Sequence, residues 1–222
     1  MVWGLVDPVN FGDFFPNGDY VGWKEEIKRF FDEEMSAEQR AAFDNRYVRY
    51  IGEVARKFTE DRGPLDPHER PSEFRMMDAR KSLASFLLLT NGLRAVDASL
   101  KEIIERLEPG VHQFWPLRIT TPKGDEYPVP YYGMIIRHFI DSFVPEQSAV
   151  HQLSAGSDVF FANGPTKKDY GNLAISKRAA AGSQLWRERR LLRPKIFFSD
   201  ELQVEYARLG LRIPRHHKLK EI

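Results

Sequence analysis

The sequence predicts an α+β fold with a mainly helical N-terminal half and a mainly antiparallel-stranded C-terminal half. Before residue 110 the apolar residues recur at spacings of three and four, the period of a helix face. After Gly110 short apolar runs alternate with Pro and Gly turns, which is a strand pattern. Runs segregated in this way indicate α+β architecture.

Met1–Val6 is short and apolar and reads as an edge strand. Asp7–Gly22, rich in Gly, Pro, Asn and Phe, reads as an ordered loop, and Trp23–Phe31 as a short helix. Ser36 and Gln39 form a capping-box pattern, in which the two side chains satisfy reciprocal free N–H groups. Phe43, Tyr47, Tyr50, Ile51, Val54 and Phe58 then make one apolar stripe, predicting a single helix of about six turns. Gly63-Pro64 closes it, and Pro64, Pro67 and Pro71 make 63–72 a loop or linker. Residues 1–70 therefore read as an N-terminal loop and helical region, and 71–222 as an α+β domain, separate or continuous with it.

Phe86–Thr90 is a candidate buried strand ended by Asn91-Gly92, although so short a run also fits a helix. Asp97–Glu108 is a helix with Leu100, Ile103, Ile104 and Leu107 on one face, stopped by Pro109-Gly110. Strands are expected at 112–120, 129–136, 159–161, 172–176 and 195–198. A last helix starts at Ser199 or Asp200, buries Leu202, Tyr206 and Leu209, and ends at Gly210. Leu211–Ile213 reads as a closing strand, followed by a solvent-exposed basic tail with His216-His217.

The chain has 222 residues, 42% of them hydrophobic, and a mean hydropathy of −0.48, enough for one domain or two small ones. Its 33 Lys/Arg and 32 Asp/Glu leave a net charge of +1. That balance argues against wrapping nucleic acid and against an acidic decoy that mimics it. The balance is uneven: residues 183–222 hold ten Lys/Arg and five Asp/Glu, so this segment is +5 and residues 1–182 are −4. Such a segment is either a solvated basic face or a docking surface for an acidic partner. The absence of cysteine excludes disulfides, thiolate catalysis and Cys-based zinc sites. The opening stretch MVWGLVDPVNFGDFF has no signal-peptide pattern and no apolar run is long enough to span a bilayer, so a cytoplasmic protein without membrane association is expected.

The phosphate-loop, dinucleotide, zinc-protease and serine-hydrolase motifs are all missing. His138, Asp141 and His151 are the residues for a metal or an acid/base pair; the competing reading is a hydrogen-bonded, partly buried histidine. Trp186-Arg187-Glu188-Arg189-Arg190, extended to Arg193, could contact nucleic acid. The alternative is a Trp anchored in the core with alternate arginines in solvent. Asp66-Pro67-His68-Glu69-Arg70 has no inferable geometry. No catalytic residue, metal or cofactor is assigned.

Three C-terminal segments, 181–187 (AGSQLWR), 196–202 (IFFSDEL) and 209–211 (LGL), resemble the end of a bacterial polymorphic-toxin immunity family of the myxobacterial type, formerly a domain of unknown function. Leu87–Thr90, the helix to Leu107, Glu108-Pro109-Gly110 and Gln113–Ile119 agree with it in order and spacing. The resemblance covers roughly residues 70–213; the Ser36–Phe58 helix and Asp7–Gly22 match nothing in it. It implies an α+β protein, encoded beside a toxin effector of bacterial competition such as those of type VI secretion, that binds and neutralises this toxin in the producing cell. A nuclease is the first expectation for the target. The family lends no catalytic residues; it implies structural roles for Trp186 and Arg187 in its Leu-Trp-Arg element and for Ser199 or Asp200 as a helix cap. Candidate toxin contacts are the acidic run Asp32, Glu33 and Glu34 and the aromatics Phe11, Phe14, Phe15 and Tyr20, for which core packing is the competing reading.

Overall fold

The protein is described by a computed structural model that covers every residue except 155, 163, 193 and 194. The first third contains β1 (Val2–Leu5), β2 (Gly18–Tyr20), α1 (Trp23–Arg29) with a π-helical turn at Phe30–Glu34, α2 (Ala37–Ala41) and α3 (Tyr47–Lys57). The middle contains β3 (Glu73–Met76), β4 (Phe86–Leu88), β5 (Arg94–Asp97), α4 (Ala98–Leu107), β6 (Gln113–Thr120), β7 (Tyr131–Ile135) and β8 (Phe139–Ile140). The last third contains β9 (His151–Gln152), β10 (Phe160–Phe161), α5 (Lys167–Gly171), β11 (Ala174–Ile175), α6 (Lys177–Ala180) and β12 (Leu185–Glu188). It closes with β13 (Ile196–Ser199), α7 (Asp200–Arg208), β14 (His216–Lys218) and β15 (Lys220–Glu221). The fold is mixed α+β. Five strands lie before residue 98 and three helices after residue 166, so helices and strands interleave instead of dividing between the halves.

A six-stranded sheet runs β2-β3-β6-β7-β5-β4 and a five-stranded sheet runs β14-β1-β13-β12-β8. β9 pairs with β10, and β11 with β15. Asn91 (φ 59°) and Gly92 (φ 82°) supply the positive φ values that turn β4 back onto β5. β5 then runs straight into α4: Asp97 ends the strand and caps the helix, its Oδ1 accepting from the Leu100 N–H at 2.9 Å.

Three apolar clusters hold these layers together. The first buries α1 and α3 against the six-stranded sheet, with Tyr20, Trp23, Val54 and Phe58 meeting Phe74, Leu87 and Trp115. The second lies between α4, α7 and one face of the five-stranded sheet, and includes Leu5, Leu100, Ile104, Leu185, Phe198 and Leu202. The third covers the opposite face with Tyr170, Trp186 and Phe197. Successive strand residues point to opposite faces. Since both faces of this sheet are buried, Ile196-Phe197-Phe198 reads as a continuous apolar run.

Several expectations are corrected. β1 is not an edge strand: β14 pairs with its outer side through Trp3↔Lys218 and Leu5↔His216. The long Ser36–Phe58 helix is two helices. The capping box at Ser36 forms, but Asp44 (φ 51°) and Asn45 (φ 53°) adopt the left-handed conformation and break the run before α3. Short Asx side chains tolerate that region, so the Asp-Asn pair ends a helix that the apolar stripe alone would continue. Leu211–Ile213 is not a strand; the chain closes with β14 and β15, in the tail expected to be solvent-exposed. His216 is held there by the Tyr206 hydroxyl at 2.9 Å and by an edge contact with Trp3. The Leu-Trp-Arg element, which the family resemblance gives as a short strand and a helix, lies on a strand, β12.

Candidate functional site

Among the sequence-selected residues, Asp32, Glu33 and Glu34 are exposed on the π-helical turn that continues α1. Lys28 pairs with Asp32, and Arg29 with Glu34. The aromatics separate into two groups. Tyr20 is core: it packs edge-on against Trp23 at 5.3 Å and Phe74 at 5.5 Å, and its hydroxyl donates to the Thr90 carbonyl at 2.6 Å. It is therefore corrected from a surface anchor to a core residue. Phe14 is half-buried under the Arg212 guanidinium, which also binds Asp13 at 2.6 Å. Phe11 is 56% exposed and packs on half-buried Phe15, ring centres 4.7 Å apart.

Phe15 forms part of a cleft of about 620 Å³ at the junction of the two large sheets. One wall is the β4–β5 hairpin with Leu88, Leu89 and Arg94; the other is β12 and the segment after it, with Arg187, Leu191 and Leu192. Asp7, Phe15, Thr59, Glu60 and Val159 also line it, as does Arg189 on the second wall. Arg94 and Arg187 are both 2% exposed. Arg94 donates from Nη2 to Asp7 Oδ1 at 2.8 Å, and Arg187 donates from Nη2 to the Phe58 carbonyl at 3.1 Å. Burial, followed by the neighbouring Arg94 charge, pushes the Arg187 pKa down to about 9, so Arg187 still carries its charge at neutral pH. Sequence reasoning missed this site because its parts come from five separate segments. The available signal was a charge inside an apolar strand run, at Leu93-Arg94-Ala95-Val96 and at Leu185-Trp186-Arg187.

The alternative reading of a nucleic-acid stripe does not assemble among the described residues. Arg187 is buried, because the face of β12 opposite Trp186 is also covered. Arg189 is paired with Asp61 at 3.1 Å and Asp141 at 3.3 Å, and Arg190 lies over the Phe160 ring; Arg193 lies outside the described residues. Nor do His138, Asp141 and His151 converge. His138 binds Glu108 at 3.2 Å, Asp141 binds Arg189, and His151 is exposed on β9. Among the described residues no group of three or more His, Asp or Glu is placed to hold a metal ion.

The motif residues have structural places. Trp186 is fully buried, its Nε1 donating to Ser142 Oγ at 3.3 Å. Ser199 is the cap of α7, accepting from the Leu202 N–H at 3.0 Å, while Asp200 accepts from Trp3 Nε1 at 2.9 Å. Glu108, from the Glu-Pro-Gly stop of α4, accepts from the backbone N–H groups of Gln184 and Leu185, so it fastens α4 to the start of β12. Asp66–Arg70, which offered no geometry as sequence, is a fixed turn. Its Glu69 is buried and binds Lys57 Nζ at 2.6 Å and the Asp66 N–H at 2.8 Å.

A sequence model of the Immunity protein family (Imm11) matches residues 23–212. The chain belongs to the Imm11 family. No curated protein matches it. The Imm11 match begins at Trp23, the first residue of α1, and so takes in the helices α1–α3 that the sequence resemblance had left out. Most of the cleft lies within the Imm11 region; Asp7 and Phe15 precede it. Membership suggests a non-catalytic, toxin-neutralising role with a toxin as the partner. No helix among the described residues is long and apolar enough to cross a membrane.

Proposed function

We propose that this Imm11 protein binds one cognate toxin, encoded by a neighbouring gene, and blocks it in the cytoplasm of the producing cell without catalysing a reaction. The observation that carries this reading is the Imm11 match over residues 23–212. The contact face we infer is the cleft with its aromatic rim, where Phe11 and Phe15 offer rigid apolar area beside buried charge. Aromatic anchors next to such pockets are where binding energy concentrates. The exposed Asp32-Glu33-Glu34 turn supplies a second, acidic contact, complementary to the basic groove of a nuclease, which is the toxin class we infer first. A stable complex needs an interface on the order of 1,600 Å² in total.

Co-expression of the tagged chain with the product of its neighbouring gene tests this reading. Rescue of growth together with co-purification of the two proteins is the expected result. Unrelieved toxicity without a complex would remove that neighbour as the cognate toxin. Charge reversal of Asp32, Glu33 and Glu34 together should weaken the complex, and unchanged affinity would remove the acidic turn from the interface.

A further inference from the structure

Gly52 stands in the middle of α3, on its exposed face, and nothing among the described residues requires a glycine there. A Cβ added at this position would meet no atom of the described residues within 4 Å. Its backbone is helical, so no positive φ calls for glycine either. Glycine is a poor residue for a helix interior, because it has the most backbone freedom to lose. The surroundings of Gly52 form a socket. Val48, Arg49, Glu53 and Arg56, with Ala42 and Phe43 at the α2–α3 corner, line an open groove of about 700 Å³ around it. Arg49, Gly52, Glu53 and Arg56 have the i, i+3, i+4, i+7 spacing of a hole that receives one knob from a facing helix. The inner face of α3 is given to the core through Tyr50 and Val54, whereas Val48 is left 75% exposed. Arg49, Arg56, Lys57 and Arg62 line the groove against one carboxylate, Glu53, among the described residues. Lys57 is bound to the buried Glu69, and the three arginines are held in exposed pairs with Asp44, Glu53 and Glu60. Such exposed pairs contribute little, so these cations are available to a partner.

We propose that this groove seats one helix of the toxin, which sets a bulky apolar side chain over Gly52 and carboxylates against Arg49 and Arg56. The inference rests on the toxin-binding reading and adds a contact surface with its chemistry. The bare floor at Gly52, beside Val48 and Phe43, leaves room for hydrocarbon that any side chain at position 52 would take. The arginine rim selects acid next to that hydrocarbon. A second copy of this chain fits less well, since a two-fold axis through Gly52 would bring the arginines of both copies together. The groove also adjoins the acidic turn. Arg40 of α2 donates to the Phe31 and Asp32 carbonyls at 3.4 and 3.1 Å, so one toxin surface can cover both.

The test compares Gly52→Ala and Gly52→Leu with the parent in two measurements. Thermal unfolding of the free proteins should give a higher Tm in both variants, by about 2–4 °C for Ala, since a better helix former replaces glycine in open space. Titration with the neighbouring-gene toxin should show a complex weakened by on the order of tenfold or more in Gly52→Leu, and by less in Gly52→Ala. A variant that is more stable alone yet binds less tightly separates a lost contact from a folding defect. Joint charge reversal, Arg49→Glu with Arg56→Glu, should weaken the complex as well; a tighter complex would mean that the toxin presents cations there and would overturn the assigned chemistry. A Tm no higher in Gly52→Ala would show that the chain itself needs the glycine. Unchanged affinity in Gly52→Leu beside an intact parent complex would remove the groove from the interface. Either result overturns the proposal and leaves the toxin-binding reading standing. A parent dimer that Gly52→Leu dissociates would assign the groove to a second copy instead. No complex with the parent would overturn the toxin-binding reading for that gene product, and this proposal with it.

Discussion

Glu108 Oε2 lies 2.8 Å from His112 Nε2, four residues further along the chain past the end of α4, and both side chains are buried. The same carboxylate takes the N–H groups of Gln184 and Leu185 at 2.9 Å each and His138 Nδ1 at 3.2 Å. One side chain thus joins the end of α4 to the segments carrying β8 and β12. Glu108→Ala strands one buried and one part-buried backbone donor and should cost about 2–5 kcal/mol. Glu108→Gln should cost less, since its amide oxygen keeps part of the acceptor set. Urea unfolding of the two variants checks the order, and equal midpoints would refute the strap.

The same contacts set a pH dependence. Burial alone would raise the Glu108 pKa, but hydrogen bonds from His112 and Gln184, the His112 charge and His138 outweigh it and hold the group below its usual 4.5. At Glu73, burial is likewise outweighed by Arg118, Thr120 and Arg75. A carboxyl group with a depressed folded pKa binds its proton more readily in the unfolded chain. Its stabilisation is therefore complete above the usual value and lost as pH falls through the lower folded value. Unfolding midpoints should hold steady down to about pH 5 and then decline, with a shallower acid slope in Glu108→Ala. An identical slope in that variant would show that Glu108 does not contribute.

Trp186 and Glu188 lie on the same face of β12 and fix it in different ways. Trp186 fills the third core cluster, edge-on to Phe197 at 6.1 Å. Glu188 accepts from the Ser142 N–H, Ser142 Oγ and the Phe143 N–H at Oε2, and from the Arg190 N–H at Oε1. Trp186→Ala should cost about 3–5 kcal/mol through cavity formation. Glu188→Gln should cost about 1–3 kcal/mol, because either orientation of the amide sets its NH2 against an N–H donor. Thermal melts and a crystal structure of Glu188→Gln measure both; a Gln variant as stable as the parent would mean that the loop at Ser142 moves.

The break between α2 and α3 makes a sharper test, because it is where the sequence pattern misleads. Asn45 holds φ 53° and its N–H bonds the Arg40 carbonyl at 2.9 Å. Asn45→Gly should be near neutral, and Asn45→Val should cost about 1–2 kcal/mol. Equal stability of the two variants would mean that the turn is not what ends α2.

Features set by local chemistry were legible in the sequence. The Ser36 capping box, the Asn91-Gly92 turn, the Asp97–Glu108 helix and the Ser199 cap all form close to their expected places. Features set by remote pairing were not. β14 pairs with β1 across nearly the whole chain, so a tail of His and Lys that looks solvated becomes a strand. β12 has two buried faces, so its Arg187 could not be placed by alternation. The cleft was invisible because Asp7, Phe15, Arg94 and Arg187 meet only after both sheets are built.

Whether residues 1–70 and 71–222 can exist apart follows from the same pairing. The first segment places β1 between β13 and β14, and β2 against β3. It also covers Phe74, Leu87 and Trp115 with Trp23, Val54 and Phe58. The Phe58 carbonyl accepts from the buried Arg187, and Asp7 from the buried Arg94. Removing 1–70 would leave the five-stranded sheet split at its second position, a broad apolar face open to water and two buried cations without these acceptors. We therefore expect a 71–222 fragment to be insoluble or molten, and addition of a separate 1–70 chain to restore its chemical-shift dispersion. A fragment that is cooperative and native-like by itself would establish 71–222 as an autonomous domain.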